Sequence, residues 1–220
     1  MNKNIENFVN YCKKNLDFNE TTNYNYQSLS VCLIDCIYSL RAKYFIVTVP
    51  IVERYASSYM RKDKNASGDT LMDLVKHIEE CGGTKQFADK IMKNHQKLGR
   101  DIPKEEVLYI LAQKLLSCGI NTMEDFQNFK DEDTLEKAIR SVKGMGDAGT
   151  NYLFMLAGDP NRCKPDVHIH HCIKDACGVD VSNQECQRIF KEAVEILKND
   201  YPTLTVRKLD GIIWQKYQAK

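Results

Sequence analysis

The sequence predicts an all-α protein, and two observations carry the prediction. Apolar residues recur at helical spacing, as in Leu71, Leu74, Val75 and Ile78, which repeat at i, i+3, i+4 and i+7. The alternation of apolar and polar residues that would indicate a half-buried strand is convincing nowhere along the chain. With 220 residues, 43% of them hydrophobic and 28% charged, the chain has the composition of a globular protein and the length to bury a core.

The first helices follow from apolar runs and from residues that start or stop a helix. A strongly apolar run begins at Val31 and becomes polar over residues 39–43, which predicts one buried helix before the Leu71–Ile78 repeat. Ile102–Glu106 places a proline in a first turn with acids directly after it, which is typical of a helix start. Gly119 is predicted to end that helix.

The later helices are marked by capping residues. Residues 122–126 are predicted to open a short helix, and Thr134, which is followed by an acid within the first turn, is predicted as a helix N-cap. A helix is predicted from Asp147 through Leu156, and Asp166 is a favoured cap for another over Val167–Cys177. The last amphipathic helix is predicted over Cys186–Leu197.

Charge, hydropathy and cysteine usage exclude several classes of protein. The net charge is +1, so any binding of nucleic acid has to come from a local patch or from backbone dipoles. The first residues lack the apolar core of a signal peptide, and no run approaches the roughly 18–20 apolar residues of a membrane span. We therefore expect an intracellular protein, in the cytoplasm and nucleoid or in the nucleus, without membrane association.

The nine cysteines are expected to be reduced thiols rather than a disulfide framework. Their number is odd, and no pair has the C-x-x-C spacing that marks many metal and iron–sulfur sites. We expect neither a metal site nor a cofactor.

One glycine motif raises the question of function. Residues 144–149 read G-x-G-x-x-G, and Asp166 follows at about the distance of a ribose-binding carboxylate in a dinucleotide-binding fold. That fold requires a strand before the glycines, whereas Thr134–Val142 has helical spacing. A nucleotide-cofactor enzyme is therefore the weakest of the alternatives, and a strand before Gly144 would restore it.

A hairpin between two helices is the other structure that needs these glycines. Two glycines can take positive φ without penalty and allow two helices to pack around a tight turn. The backbone N–H groups of Gly144, Gly146 and Ala148 would then point outward at a helix N-terminus, where they can bind phosphate without reading base identity.

From Val142 to Ile169 the chain resembles, without a gap, the helix-hairpin-helix (HhH-GPD) DNA glycosylases of the endonuclease III superfamily. The family pattern is roughly L-P-G-V-G-x-K-T-A-N, a second helix, a short loop and V-D-T-H-V. Here residues 142–146 cover the hairpin, Asn151 matches the family asparagine, and residues 166–169 cover the catalytic aspartate and the histidine after it. More faintly, Leu33–Tyr55 resembles the early helix whose end supplies a residue that fills the gap left by a flipped base.

The resemblance implies a two-lobed helical fold with a cleft between the lobes. The central lobe would span residues 26–142, and the second lobe would combine 1–25 with 143–220. The implied activity is hydrolysis of the N-glycosidic bond of a flipped damaged or mismatched base in double-stranded DNA, by a monomer without a cofactor. The implied roles are Asp166 for catalysis, Lys143, Gly144, Gly146 and Ala148 for phosphate binding, and Arg41, Asn151 and His168 for support or DNA contact.

A structural or solvent-exposed role, without any contact to DNA, remains an alternative for each of these residues. Asp166 could serve only as a helix cap, Arg41 and Lys143 could be solvated, and Asn151 and His168 could be structural. A stretch of basic residues is either a candidate surface for the DNA backbone or an ordinary solvated face. The stretch comprises Lys85, Lys90, Lys93, Lys97, Arg100 and Lys104.

Departures from the family pattern decide the predicted chemistry. Ala148 stands where lyase-active members carry their Schiff-base lysine, and no cysteine follows Cys186, so neither β-elimination nor an iron–sulfur cluster is expected. Lys143 replaces the hairpin proline, and Pro165 replaces an aliphatic residue before the aspartate. The rivals are a bifunctional glycosylase/AP lyase that uses Lys143 or Lys164, and a non-catalytic DNA-binding protein. The sequence does not identify the excised base.

Overall fold

The computed structural model describes residues 2–19 and 26–218, and it is predominantly helical, as predicted. The helices are α1 (Lys3–Asn15), α2 (Leu29–Ser39), α3 (Val49–Tyr59), α4 (Leu71–Glu80), α5 (Thr84–Phe87), α6 (Lys104–Ser117), α7 (Met123–Gln127), α8 (Glu132–Arg140), α9 (Asp147–Leu156), α10 (Val167–Cys177), α11 (Asn183–Leu197) and α12 (Val206–Gln218). Two further segments, Tyr44–Thr48 and Ala88–Met92, are single π-helical turns.

A short β-hairpin was not predicted. Strands β1 (Lys97–Leu98) and β2 (Ile102–Pro103) pair antiparallel directly before α6. Pro103 is consequently the N-cap residue of α6 rather than part of its first turn. Two-residue strands carry too little alternation for a period-2 pattern to reveal them.

The chain divides into two compact units. The terminal unit combines Met1–Tyr24 with Gly158–Lys220, and the central unit is Asn25–Ala157. The division falls after Ala157, whereas the sequence placed it after Val142, because α9 packs on α2 and α8 of the central unit. The other predicted boundary, at residue 25, lies outside the described residues.

The terminal unit is a cluster of four helices, α1, α10, α11 and α12. Phe8 of α1 and Phe190 of α11 meet in its core with ring centroids 5.2 Å apart. Both rings are fully buried, and burial of a side chain of this size contributes about 1.5–3 kcal/mol to stability. Ile169, Cys172 and Ile173 bury one face of α10 in the same core, which fixes the helix that follows Asp166.

The central unit is built around α2. Every residue of α2 is buried, because the helix packs against α3, α6 and α9. A helix that is apolar on all sides is stable only in such a setting, which confirms the buried helix predicted from Val31.

The short helix predicted from Thr122 is confirmed, and the cap predicted at Thr134 is wrong. Thr122 accepts a hydrogen bond from the Asp125 N–H and completes a capping box. At the start of α8 the cap is Asp131, whose Oδ1 accepts from the Thr134 N–H at 3.0 Å. The helix therefore starts three residues earlier than predicted, because aspartate is the stronger of two nearby capping candidates.

All nine cysteines lie within the described residues, and none of them forms a disulfide. Burial raises the pKa of Cys12 and Cys163 well above the ordinary value and raises the pKa of Cys186 to about 12, so these groups are thiols at neutral pH. Residues 2–19 and 26–218 contain no cluster of histidine, cysteine or acidic side chains arranged to hold a metal ion. No helix in the same ranges has the length and apolarity to cross a membrane.

Candidate functional site

The glycine motif forms a turn between two helices. Helix α8 ends at Arg140, the Met145 N–H donates to the Val142 carbonyl at 3.0 Å, and α9 begins at Asp147 as predicted. Helix α8 and a turn over residues 141–143 precede Gly144, so the strand that a dinucleotide-binding loop requires is absent at this place.

The two glycines of the turn differ in backbone conformation and in the space around them. Gly144 has φ +108°, and a Cβ atom on it would lie 3.0 Å from Leu98 Cδ1 and 3.4 Å from Val107 Cγ2. Gly146 has φ −88°, and a Cβ atom there would meet nothing within 4 Å. The expectation that both glycines serve through positive φ is therefore correct for Gly144 and wrong for Gly146.

This difference gives a testable prediction about stability. Gly144→Ala forces a side chain into a backbone conformation that costs about 1–3 kcal/mol and against Leu98 of the β-hairpin. Gly146→Ala is the matched control and should cost less than about 1 kcal/mol, because only its capping preference changes. Urea unfolding of both variants measures the difference, and equal losses of stability would contradict this account of the turn.

The turn presents unpaired backbone donors at the start of α9. In the part of the chain that the structure describes, the N–H groups of Gly144, Gly146 and Ala148 have no protein acceptor. Both glycines are exposed, as is Lys143, and Ala148 is half-buried. Asp147 is the one acid in the first turn of α9, and an ion pair with Arg140 offsets its charge. These groups can hold an anion at the positive end of the α9 dipole.

The segment after α2 lies beside this helix start. The Cys36 thiol donates to the Gly149 carbonyl at 3.2 Å, and a Cβ on Gly149 would lie 3.3 Å from Leu40 Cδ1. The next residue, Arg41, is exposed and has φ +55°. The end of α2 and the hairpin therefore form one continuous part of the central unit.

Two exposed apolar residues follow Arg41 and were missed by sequence reasoning. Phe45 is 60% exposed and Ile46 is 71% exposed, both within the π-helical turn. The run Tyr44–Val52 is the longest apolar stretch of the chain. A buried core segment has the same apolar composition, so the sequence alone could not show that the start of this run is exposed.

A buried aspartate holds that π-helical turn. Asp35 of α2 has no exposed surface, and its Oδ2 accepts from the hydroxyl groups of Tyr26 at 2.9 Å and Tyr44 at 2.7 Å. Its Oδ1 accepts from the Tyr152 hydroxyl of α9 at 2.9 Å. Burial, followed by the negative charge of Asp35, raises the pKa of Tyr26 and Tyr44, which keeps both hydroxyls protonated as donors.

Asp166 lies in the terminal unit at the start of α10. Its Oδ1 accepts from the backbone N–H groups of His168 at 2.9 Å and Ile169 at 3.3 Å, which confirms the predicted cap. The Asp166 N–H donates to the Lys164 carbonyl at 2.7 Å and closes a three-residue turn around buried Pro165. The carboxylate is half-buried, and no donor among residues 2–19 and 26–218 binds its Oδ2. One oxygen therefore caps the helix while the other stays available.

The loop before Asp166 is tied to α11 and α12. Gln187 of α11 accepts from the Cys163 N–H at 3.0 Å and donates to the Asn161 carbonyl at 2.8 Å. The Arg207 N–H of α12 donates to the Pro160 carbonyl at 3.0 Å. These hydrogen bonds give the loop a defined path up to Asp166.

The remaining candidates divide between the two units. Asn151 is buried in α9, and His168 is half-buried on α10. No hydrogen bond joins the His168 ring to another residue that the structure describes. The central unit holds Arg41, Lys143, Gly144, Gly146, Ala148 and Asn151, and the terminal unit holds Asp166 and His168. Lys104, at the end of the basic stretch, is buried and bonded to the Tyr38 carbonyl at 3.0 Å, so it is not part of a solvent-facing track.

Comparison with known proteins gives one match. The model of the family described as a domain of unknown function, DUF8548, matches residues 5–219. Searches of curated proteins and of solved structures find no match to the chain. Since the matched segment covers nearly the whole sequence, the protein belongs to the DUF8548 family.

Proposed function

We propose that the protein is a monofunctional DNA glycosylase that hydrolyses the N-glycosidic bond of a damaged or mismatched base. In this proposal the two units are the lobes of a helix-hairpin-helix glycosylase that binds double-stranded DNA. One observation carries the proposal. A hairpin with unpaired N–H groups and an aspartate with an unoccupied carboxylate oxygen lie in one short stretch of chain, at the starts of α9 and α10.

The hairpin is proposed to bind a DNA phosphate. Each hydrogen bond from a backbone N–H to a charged phosphate contributes about 1.5–3 kcal/mol, and Lys143 adds a positive charge beside the turn. Such contacts fix the position of the duplex without reading its sequence. They suit a protein with a net charge of +1, which has no general attraction for DNA.

The exposed segment after α2 is proposed to enter the DNA where a base has been flipped out. Proteins that kink DNA insert apolar side chains such as phenylalanine and isoleucine between base steps. Phe45 and Ile46 are such side chains, and the hydrogen bond between Tyr44 and Asp35 fixes the turn that presents them. Arg41, which the resemblance places at the gap, remains a candidate for contact with the bases or phosphates there.

A double substitution tests this part of the proposal. Phe45→Ala with Ile46→Ala is expected to weaken binding to a duplex with a damaged base by roughly tenfold, because the apolar contact with unstacked bases is lost. Folding should be preserved, since both side chains are largely exposed. Met72→Ala, which removes a side chain that is 63% exposed in the same unit, is the matched control and should leave binding unchanged. Fluorescence anisotropy with labelled duplexes measures the three affinities, and equal affinities would remove Phe45 and Ile46 from the interface.

Asp166 is proposed to carry the chemistry. Cleavage of the N-glycosidic bond builds positive charge on the sugar, and a fixed carboxylate beside C1′ stabilises that charge and orients the attacking water. The cap hydrogen bonds to Oδ1 immobilise the side chain, and Oδ2 is free to face the sugar. Flipping of the target nucleotide, which costs a few kcal/mol, brings C1′ within reach and favours bases that are already weakly paired.

The bifunctional alternative has Lys143 or Lys164 as its nucleophile. Ala148 cannot form a Schiff base, so β-elimination would require one of these other amines. Borohydride trapping on abasic DNA separates the two activities: a monofunctional enzyme leaves no covalent adduct, and an adduct would establish the lyase.

Release of free base is the test of the proposed activity. Duplexes that each contain one damaged or mismatched base are incubated with the protein, and the released base is detected by chromatography. Release that depends on Asp166 is the expected result. Salt-sensitive DNA binding without release from any duplex would instead favour the non-catalytic binder.

A further inference from the structure

A second carboxyl group lies next to the Asp166 loop. Asp210 of α12 is 4% exposed, and its Oδ2 accepts from the Lys164 N–H at 2.8 Å. The carbonyl of Lys164 accepts from the Asp166 N–H at 2.7 Å. The backbone of Lys164 is therefore hydrogen-bonded on both sides, through its N–H to Asp210 and through its carbonyl to Asp166.

The surroundings of Asp210 oppose its ionisation. Burial, followed by the negative charge of Asp166, raises the pKa of Asp210 well above its usual range. The Lys164 backbone N–H and the Lys164 ammonium act in the opposite direction and are weaker. Cys163 on the loop and Cys186 on α11 are thiols whose own pKa values are raised, so they bring no charge at neutral pH, and Arg162 of the loop is paired with Asp159.

We propose that Asp210 is the positioning residue for Asp166, and we call the two side chains, which are linked through the backbone of Lys164, the carboxyl pair. The buried oxygen of Asp210 fixes Lys164 and, through the turn at Pro165, the direction of the Asp166 side chain. This role rests on the proposed glycosylase function, because positioning matters only where Asp166 acts on a sugar.

Two substitutions separate positioning from bulk stability. Asp210→Asn keeps an oxygen that can accept from Lys164 and is uncharged, like the protonated acid. It should release base at a rate within about threefold of the wild type at neutral pH, since a retained hydrogen bond retains the geometry. Asp210→Ala removes the acceptor and should lower the single-turnover rate by about tenfold or more while DNA affinity stays the same. A wild-type rate in Asp210→Ala would overturn the proposal, as would an Asp210→Asn variant as slow as the alanine variant.

The pH profile gives a second readout that a purely structural residue would not change. Wild-type activity should fall at high pH as Asp210 ionises, because a second negative charge then repels Asp166 and disturbs the loop. Asp210→Asn has no proton to lose and should keep its activity over the same range. Identical high-pH limbs would contradict the carboxyl pair.

A measurement without DNA keeps this proposal distinct from the proposed function. A group with a pKa raised by folding contributes stability at low pH that is lost as the pH rises through its native pKa. The Tm of the wild type should therefore fall relative to that of Asp210→Asn as the pH rises above about 4, the ordinary range of the carboxyl pKa. Carbon NMR of the Asp210 carboxyl should show a lower pKa in Asp166→Asn than in the wild type, because the neighbouring charge is gone. If these shifts are seen but no duplex releases base, the carboxyl pair is supported and the glycosylase proposal is wrong. If base is released but the shifts are absent, only the proposal of the carboxyl pair is wrong.

Discussion

Asp166→Asn is expected to lower the rate of base release by about 10³-fold while folding and DNA affinity stay at wild-type levels. Removal of one electrostatic stabiliser from an active site costs about 10²–10³ in rate, and Asp166 has in addition the task of orienting water. Asparagine is as good an N-cap as aspartate, so its side-chain oxygen can still accept from the His168 and Ile169 N–H groups. The substitution therefore removes the charge and keeps the helix.

The chain offers a matched control for this experiment. Asp131 caps α8 as Asp166 caps α10, with a hydrogen bond of 3.0 Å from the Thr134 N–H. Asp131→Asn should leave the single-turnover rate within about twofold of the wild type, because a cap alone does not act on the sugar. If Asp166→Asn kept the wild-type rate, Asp166 would be only a helix cap and the proposed mechanism would be wrong.

Asp35→Ala is expected to be the most destabilising single substitution among those considered, with a loss of about 3–5 kcal/mol in the free energy of unfolding. The side chain is fully buried and accepts hydrogen bonds from three tyrosine hydroxyl groups, so its removal takes one hydrogen bond from each of Tyr26, Tyr44 and Tyr152. Each hydrogen bond to a charged group contributes about 1.5–3 kcal/mol, and the less buried Tyr26 and Tyr44 can recover part of this by turning to water.

A pair of tyrosine variants isolates the hydrogen bond from the loss of packing. Tyr152→Phe removes a hydroxyl that is bonded to Asp35 in the core and should cost about 1–2 kcal/mol. Tyr109→Phe removes a hydroxyl that is bonded to Glu79 at the surface, at the same length of 2.9 Å, and should cost less than about 0.5 kcal/mol. Urea unfolding compares the two, and equal costs would show that the Asp35 network does not stabilise the central unit.

Local signals in the sequence were sufficient to predict where the helices around the candidate site begin. Helix α9 begins at Asp147, where glycine precedes a helical run, and α10 begins after Asp166, whose short carboxylate side chain is a strong cap. The same reasoning failed at α8, where Thr134 was predicted as the cap and Asp131 lies within one turn before it. Both residue types are good caps, and only the folded chain shows that Asp131 binds the free Thr134 N–H group.

The buried aspartates Asp35 and Asp210 could not be assigned roles from the sequence, because their partners are distant along the chain. Asp35 and Tyr152 are 117 residues apart, and Asp210 and Lys164 are 46 residues apart. An aspartate inside an apolar run is expected to need a hydrogen-bond donor as a partner, but the sequence does not identify that partner. The exposure of Phe45 and Ile46 was hidden for a related reason, since an apolar run has the same composition whether it is covered or not.

Strand analysis of treated duplexes is the most direct test of the central proposal, that the protein hydrolyses a glycosidic bond without cutting the strand. Duplexes with uracil, an oxidised pyrimidine, an alkylated purine or a mismatch are incubated with the wild-type protein, and each reaction is divided for detection of free base and for electrophoresis with and without alkali. We expect free base from at least one duplex, with strand cleavage only after alkali. Absence of free base from every duplex would contradict the glycosylase, and cleavage without alkali would contradict a monofunctional one.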